Sequence, residues 1–211
     1  MILHLSNAGL MRVVMLDAPL KRIAAARLDS VAVALQRLGI GATAISIVGF
    51  ALGIIAAAMI AGGAYLEAVI FLILNRLFDI LDGVMARRKG STRTGAFLDV
   101  SFDLFVYAAI PFAFALARQP DALAAAFLLM GLMFVATTSL AARVAANGKP
   151  GAAQSTPGFV FFEHTEIFLA FIILCIMERW MFSIFAYLFG FLCLVSGIIR
   201  IVTTLAALRK T

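Results

Sequence analysis

Four aspartates in this chain call for a chemical explanation. Asp79 and Asp82 lie three residues apart and Asp99 and Asp103 four apart, so each pair occupies one face of a helix. Both pairs sit within strongly apolar stretches, where a lone charge costs about 3 kcal/mol at membrane depth. Something must neutralise them. Arg76 and Arg87 offset at most two of the charges, whereas one or two divalent cations match all four. Donors that are all oxygen favour Mg²⁺ or Mn²⁺ over zinc. A zinc centre is further disfavoured because the two histidines, His4 and His164, have no cysteine close in sequence to complete a ligand set. An internal salt-bridge cluster or a proton relay would also account for the carboxylates, but not for the small residues between them.

Those small residues belong to the segment joining the two pairs, which reads Gly83-Val84-Met85-Ala86-Arg87, then Arg88-Lys89-Gly90-Ser91-Thr92-Arg93-Thr94, then Gly95. Gly83 and Ala86, three apart, leave a groove beside the acidic face. Arg87 and Arg93 suit phosphate, and Ser91 or Thr92 can donate hydrogen bonds to it. Metal, phosphate and a membrane setting together point to phosphoryl-group chemistry on a lipid. The plainer reading gives the glycines to helix packing and the basic turn to topology.

The elements that must hold these residues are membrane helices. The 211-residue chain is 64% hydrophobic and only 13% charged, with 19 Phe, which excludes an ordinary soluble domain. Uncharged apolar runs at 43–66, 122–142 and 181–199 are near or above the roughly 20 residues needed to cross a bilayer. Three further apolar stretches, at 68–85, 97–117 and 161–177, carry acidic groups, which makes six predicted spans. Positive residues gather on one side of them: Arg12 to Arg37 before the first span, Arg87 to Arg93 after the second, Arg143 and Lys149 after the fourth, and Arg200, Arg209 and Lys210 at the end. Arg118 and Arg179 fall on the other side. By the positive-inside rule both termini face the cytoplasm. The net charge of +6 is then a membrane-facing rim rather than a nucleic-acid surface, for which no soluble domain exists.

The N-terminal segment, 1–38, contains no span. Leu20, Ile23, Ala24, Val31, Ala34, Leu35 and Leu38 recur at near-helical spacing among basic residues, which predicts an amphipathic helix in the headgroup layer. Pro19 suits its start. The opening residues lack the apolar core of a signal peptide. Residues 39–211 form the six-span domain, with Gly148, Pro150, Gly151, Gln154, Ser155, Pro157 and Gly158 marking a polar connection between spans four and five. Cys175 and Cys193 read as small apolar fillers. The expected fold is all-α, a polytopic bundle of six transmembrane helices preceded by an interfacial helix.

Asp79-x2-Asp82-Gly83-x2-Ala86-Arg87 followed by Gly95-x3-Asp99-x3-Asp103 resembles the signature of the CDP-alcohol phosphatidyltransferases, integral-membrane enzymes of phospholipid synthesis. The six-span layout is also similar. The resemblance implies that an alcohol hydroxyl attacks the β-phosphorus of CDP-diacylglycerol or another CDP-alcohol, with CMP leaving. It implies two Mg²⁺ or Mn²⁺ ions held by Asp79, Asp82, Asp99 and Asp103, with Asp103 also the general base. It places the cytidine and phosphates beside Gly83, Ala86, Arg87 and Thr92. A bacterial-type inner membrane, a small alcohol acceptor and a homodimer are further implications. Asn75 either touches nucleotide, orients an aspartate or satisfies a neighbouring helix. Glu166 either helps the acceptor site or, like Glu163 and His164, reaches water at the rim.

Two directions of transfer fit the motif: a phosphatidyl group passed to a small alcohol, or a head group passed from a soluble CDP-alcohol to a lipid. Arg93, Arg143 and Lys149 make a phosphorylated acceptor reasonable, although each also serves as an ordinary positive-inside anchor. Outside enzymes, a membrane cation transporter and a non-catalytic scaffold are the competing classes.

Overall fold

A computed structural model of the protein describes residues 17–90, 92–145 and 164–209, with side chains from residue 27 onward except those of Lys89 and His164. Expectations that rest on Arg12, Ser91, Lys149, Glu163 or Lys210, on the side chains of Leu20, Ile23 and Ala24, or on the polar connection at 148–158 lie outside the described residues.

Every regular element among the described residues is helical. Helix α1 spans Asp17–Arg37 and α2 spans Ala42–Ala61. The apolar run at 43–66 is not one helix, because α2 stops at Gly62 and Gly63. Gly63 takes φ 80°, a left-handed conformation that favours glycine, and the amide of Ala64 closes the end by donating to Met59 O at 2.8 Å. Helix α3, Tyr65–Lys89, carries Asp79 and Asp82 and ends at Gly90, also at positive φ. Thr92 caps α4, Arg93–Ala117, by accepting a hydrogen bond from the amide of Gly95 at 3.0 Å. A one-turn 3₁₀ segment leads into α5, Ala122–Ala145. Helix α6 covers His164–Ile176, and a second 3₁₀ turn precedes α7, Phe182–Leu208.

Four of these helical stretches, Ala42–Ala61, Arg93–Ala117, Gln119–Ala145 and Arg179–Leu208, are long and apolar enough to cross a membrane. Their outer faces carry large apolar side chains such as Ile55, Phe112, Leu123, Ile184 and Phe191, an arrangement suited to lipid rather than water. With hydrocarbon outside, burial of apolar surface gives helices little reason to associate, so close packing and interior hydrogen bonds must do so.

Two helix groups result. In the first, α2 packs against α3 and α4; in the second, α5 packs against α7. One buried cluster joins them, with Leu72 of α3, Ile110 and Phe114 of α4, Leu128 and Leu132 of α5, Phe171 of α6 and Phe182 of α7 at its centre. A smaller cluster fixes α1 to α2 and α3 through Ala32, Ile45, Leu81, Val84 and Met85. At the end of α4, Arg118 is buried. Its Nε donates to the Tyr65 hydroxyl at 3.2 Å, and its guanidinium lies over the rings of Tyr65 and Phe182 at 4.7 and 4.9 Å. Aromatic faces make that buried cation tolerable.

Candidate metal centre and adjoining cavity

The helical repeat puts Asp79 and Asp82 on one face of α3 and Asp99 and Asp103 on one face of α4, and packing on α2 turns the two faces toward each other. One carboxylate oxygen from each of Asp79, Asp99 and Asp103 lies within 4.8 Å of the other two. Asp82 lies outside that tight group. Its Oδ2 accepts a hydrogen bond of 2.5 Å from the Ser46 hydroxyl of α2, although the same cleft is lined by all four aspartates. That cleft has a volume of about 20 Å³, enough for one water-sized or ion-sized occupant. Phe50 and Phe102 also line it and stack at 4.4 Å, forming an apolar wall.

The donors suit a hard divalent cation. They are carboxylate oxygens with no sulfur or imidazole among the described neighbours, converging from two helices at a separation that a single ion can bridge.

Asp82 and Asp99 also border a second, larger cavity of about 300 Å³. Gly83, Ala86, Gly90, Thr92 and Gly95 line one side, and Thr43, Ser46 and Gln36 line another. A Cβ added at Gly83 would meet only the tip of the Arg87 side chain, at 3.4 Å, so the space beside the acidic face is open. Gln36 of α1 donates to Met85 O at 3.1 Å and closes one edge of the cavity. Gly83, Ala86, Thr92 and the aspartates thus adjoin one space, with Arg87 reaching alongside Gly83. The Thr92 oxygen already serves as the cap acceptor, which leaves its hydroxyl proton available to donate.

Several partners were not visible in the motif. Arg76 pairs with Asp79, Arg88 pairs with Asp29 of α1 at 2.5 Å, and Asn75 donates to Gly49 O at 2.7 Å. The last contact satisfies a neighbouring helix, one of the three roles open to Asn75. Ser46 gave no signal of its own, since a serine in an apolar run commonly bonds its own helix. Here its one hydroxyl proton goes to Asp82, with Ala42 O of its own helix a longer, alternative acceptor at 3.2 Å. Arg93 and Arg143 are exposed and line neither space. Arg200 donates to Ser139 at 2.7 Å and ties α7 to α5.

Residues 39–206 match the family model for CDP-alcohol phosphatidyltransferase. The chain is 38% identical over 175 residues to the Escherichia coli (strain K12) inner membrane protein YnjF, covering 79% of this chain and 84% of that one. Among solved structures it is similar to Mycobacterium tuberculosis phosphatidylinositol phosphate synthase (PgsA1) with CDP-DAG bound. The TM-score there is 0.70 at 21% identity, over 84% of this chain and 92% of that one. The same synthase in complex with manganese and citrate gives a TM-score of 0.67 at 22% identity, over 86% and 88%.

Proposed function

Because the chain belongs to the CDP-alcohol phosphatidyltransferase family, we propose that this multi-pass membrane protein moves a phosphatidyl group from CDP-diacylglycerol to the hydroxyl of a small alcohol and releases CMP. The observation that carries this reading is the convergence of Asp79, Asp99 and Asp103 within 4.8 Å beside a cavity lined by Gly83, Ala86 and Thr92. A carboxylate cluster alone would suit a cation path. Its opening onto a cavity of about 300 Å³ with a glycine-lined wall favours a diphosphate ligand.

In this reading Asp79, Asp82, Asp99 and Asp103 hold Mg²⁺ or Mn²⁺, two ions in all. The bound metal supplies neutralisation of the diphosphate and of the charge that develops as CMP departs. The chain does the rest. Gly83 and Ala86 leave room for the nucleotide, while Arg87 and Thr92 offer donors to its phosphates. Asp103 accepts the proton of the acceptor hydroxyl on a carboxylate oxygen. The hydroxyl oxygen then bonds to the β-phosphorus as the bond from that phosphorus to the CMP oxygen breaks. The PgsA1 structures with CDP-DAG and with manganese support the donor and the metal class.

The acceptor is read as a phosphorylated alcohol because Arg93 at the start of α4 and Arg143 near the end of α5 are exposed cations suited to a phosphate, although neither lines the cleft or the larger cavity. Purified protein with Mg²⁺ or Mn²⁺ and CDP-diacylglycerol, offered each acceptor separately, should release CMP and form the matching lipid. Turnover only with unphosphorylated alcohols would reject this acceptor class. CMP release only from a soluble CDP-alcohol with diacylglycerol would reverse the direction of transfer, and cation flux without CMP release would favour a transporter.

The layout proposed is six spans over 39–211, with α3 and the stretch containing α6 added to the four apolar helices and α1 lying in the headgroup layer. A homodimer is proposed on family grounds. Both termini face the cytoplasm in this layout. A membrane-impermeant thiol reagent should label a cysteine placed at Gln119 from outside intact cells and not one placed at Gly90. The reverse pattern would invert the orientation.

A further inference from the structure

Arg76 is a buried cation beside the acidic cluster, in contact with one of its members. It lies one turn before Asp79 on α3, is only 9% exposed, and pairs through one terminal nitrogen with Asp79 Oδ2. The other terminal nitrogen donates to the Thr165 hydroxyl at the start of α6, at 2.9 Å, and the guanidinium lies 5.7 Å from the centre of the Phe168 ring. Contacts with two helices hold this charge in place, as a buried arginine requires. One guanidinium thus links a candidate metal ligand to α6.

Its charge alters the balance of the site. Four carboxylates line the cleft and the Arg76 guanidinium is fixed on one of them, Asp79, so by the formal charges of these five groups a first divalent cation leaves the set slightly negative and a second makes it positive. Excess charge of either sign is expensive where water is scarce. Oxygen donors are also limited. Asp79 Oδ2 is engaged by Arg76 and Asp82 Oδ2 by Ser46, while two ions with the roughly six ligands each that Mg²⁺ prefers need oxygens from elsewhere. A diphosphate brings both negative charge and oxygens.

We infer that Arg76 is a positioning residue that sets the resting cation occupancy: the free protein holds one divalent cation, and the second is retained only with the diphosphate of the CDP-lipid. This rests on the phosphatidyl-transfer reading. Cation and donor then strengthen each other's binding reciprocally.

The test is Mn²⁺ titration of the purified full-length protein in nanodiscs, with free Mn²⁺ followed by electron paramagnetic resonance, with and without CDP-diacylglycerol and with no acceptor present. The wild type should bind one Mn²⁺ per chain alone and two with the CDP-lipid. Arg76→Gln should bind the second ion without the lipid, its affinity raised about tenfold or more by loss of a nearby like charge. Arg76→Lys, which keeps the charge, should return to one. Thr165→Val, nearly the same size, should shift the second ion in the same direction but less. A brace with no electrostatic role predicts the opposite, weaker Mn²⁺ binding in Arg76→Gln. Two ions on the lipid-free wild type would overturn the inference, as would identical titrations for wild type and Arg76→Gln. Should Arg76→Gln fail to fold, the wild-type and Thr165→Val titrations decide. CMP release by the same wild-type sample on adding acceptors tests the transfer reading separately, since its failure leaves the Mn²⁺ stoichiometry to be read on its own.

Discussion

Glycine lies at both helix crossings that organise this bundle, yet the two crossings use it differently. Between α5 and α7 it brings backbones into contact: a Cβ on Gly131 would sit 2.4 Å from Gly190 O, and one on Gly197 would sit 2.5 Å from the Phe134 ring. At these glycines close backbone approach supplies the packing that lipid cannot, and the side-chain hydrogen bond from Arg200 to Ser139 lies farther along the pair. Between α2, α3 and α4 the approach is mixed. Gly53 admits Val106 and the Asn75 amide, which would lie 2.7 and 3.0 Å from an added Cβ, and Asn75 then bonds Gly49 O. Farther along, at Gly83, the helices leave open space. The first crossing is a dry joint, whereas the second closes at its middle through a hydrogen bond and opens at one end beside the carboxylates.

The largest effect should come from the open end. Asp82→Asn replaces a charged ligand with a weak neutral one and is expected to abolish transfer while leaving the fold intact. Near-normal CMP release from folded protein at saturating Mg²⁺ would remove Asp82 from the metal set. Asp103→Asn should lower kcat by about 10²–10⁴-fold while retaining CDP-lipid binding, because a general base acts mainly in the chemical step. Binding measured alongside turnover separates that outcome from a folding defect, and full turnover would reject the role.

Effects at the dry joint should register in stability instead. Gly131→Ala must push α5 from α7 and is expected to cost about 1–3 kcal/mol, seen as a lower melting temperature, with CMP release per folded molecule unchanged. An unchanged melting temperature would mean the crossing is looser than described. Smallest of all, Gly83→Ala meets only a flexible arginine tip, so the melting temperature should hold while the KM for the CDP-lipid rises a few-fold. A stability loss at Gly83 without a KM change would erase the contrast between the two crossings.

Helix existence was legible in the chain because a bilayer demands long apolar runs, and the i,i+3 and i,i+4 spacings put each aspartate pair on one face whatever the fold. The acidic motif with Gly83 and Ala86 likewise pointed to metal and phosphate from residue type alone. Helix ends were less legible. The run at 43–66 is apolar throughout, and only the positive φ at Gly63 reveals that it turns back after Ala61. What tertiary structure alone decided is which groups meet. Asp79, Asp99 and Asp103 converge while Asp82 leans on Ser46, Asn75 serves α2, and Arg76 rather than Arg87 takes Asp79. Those pairings depend on the rotation and axial offset of one helix against another. Periodicity within a single helix carries no information about either, so the cluster could be foreseen while its internal bonding could not.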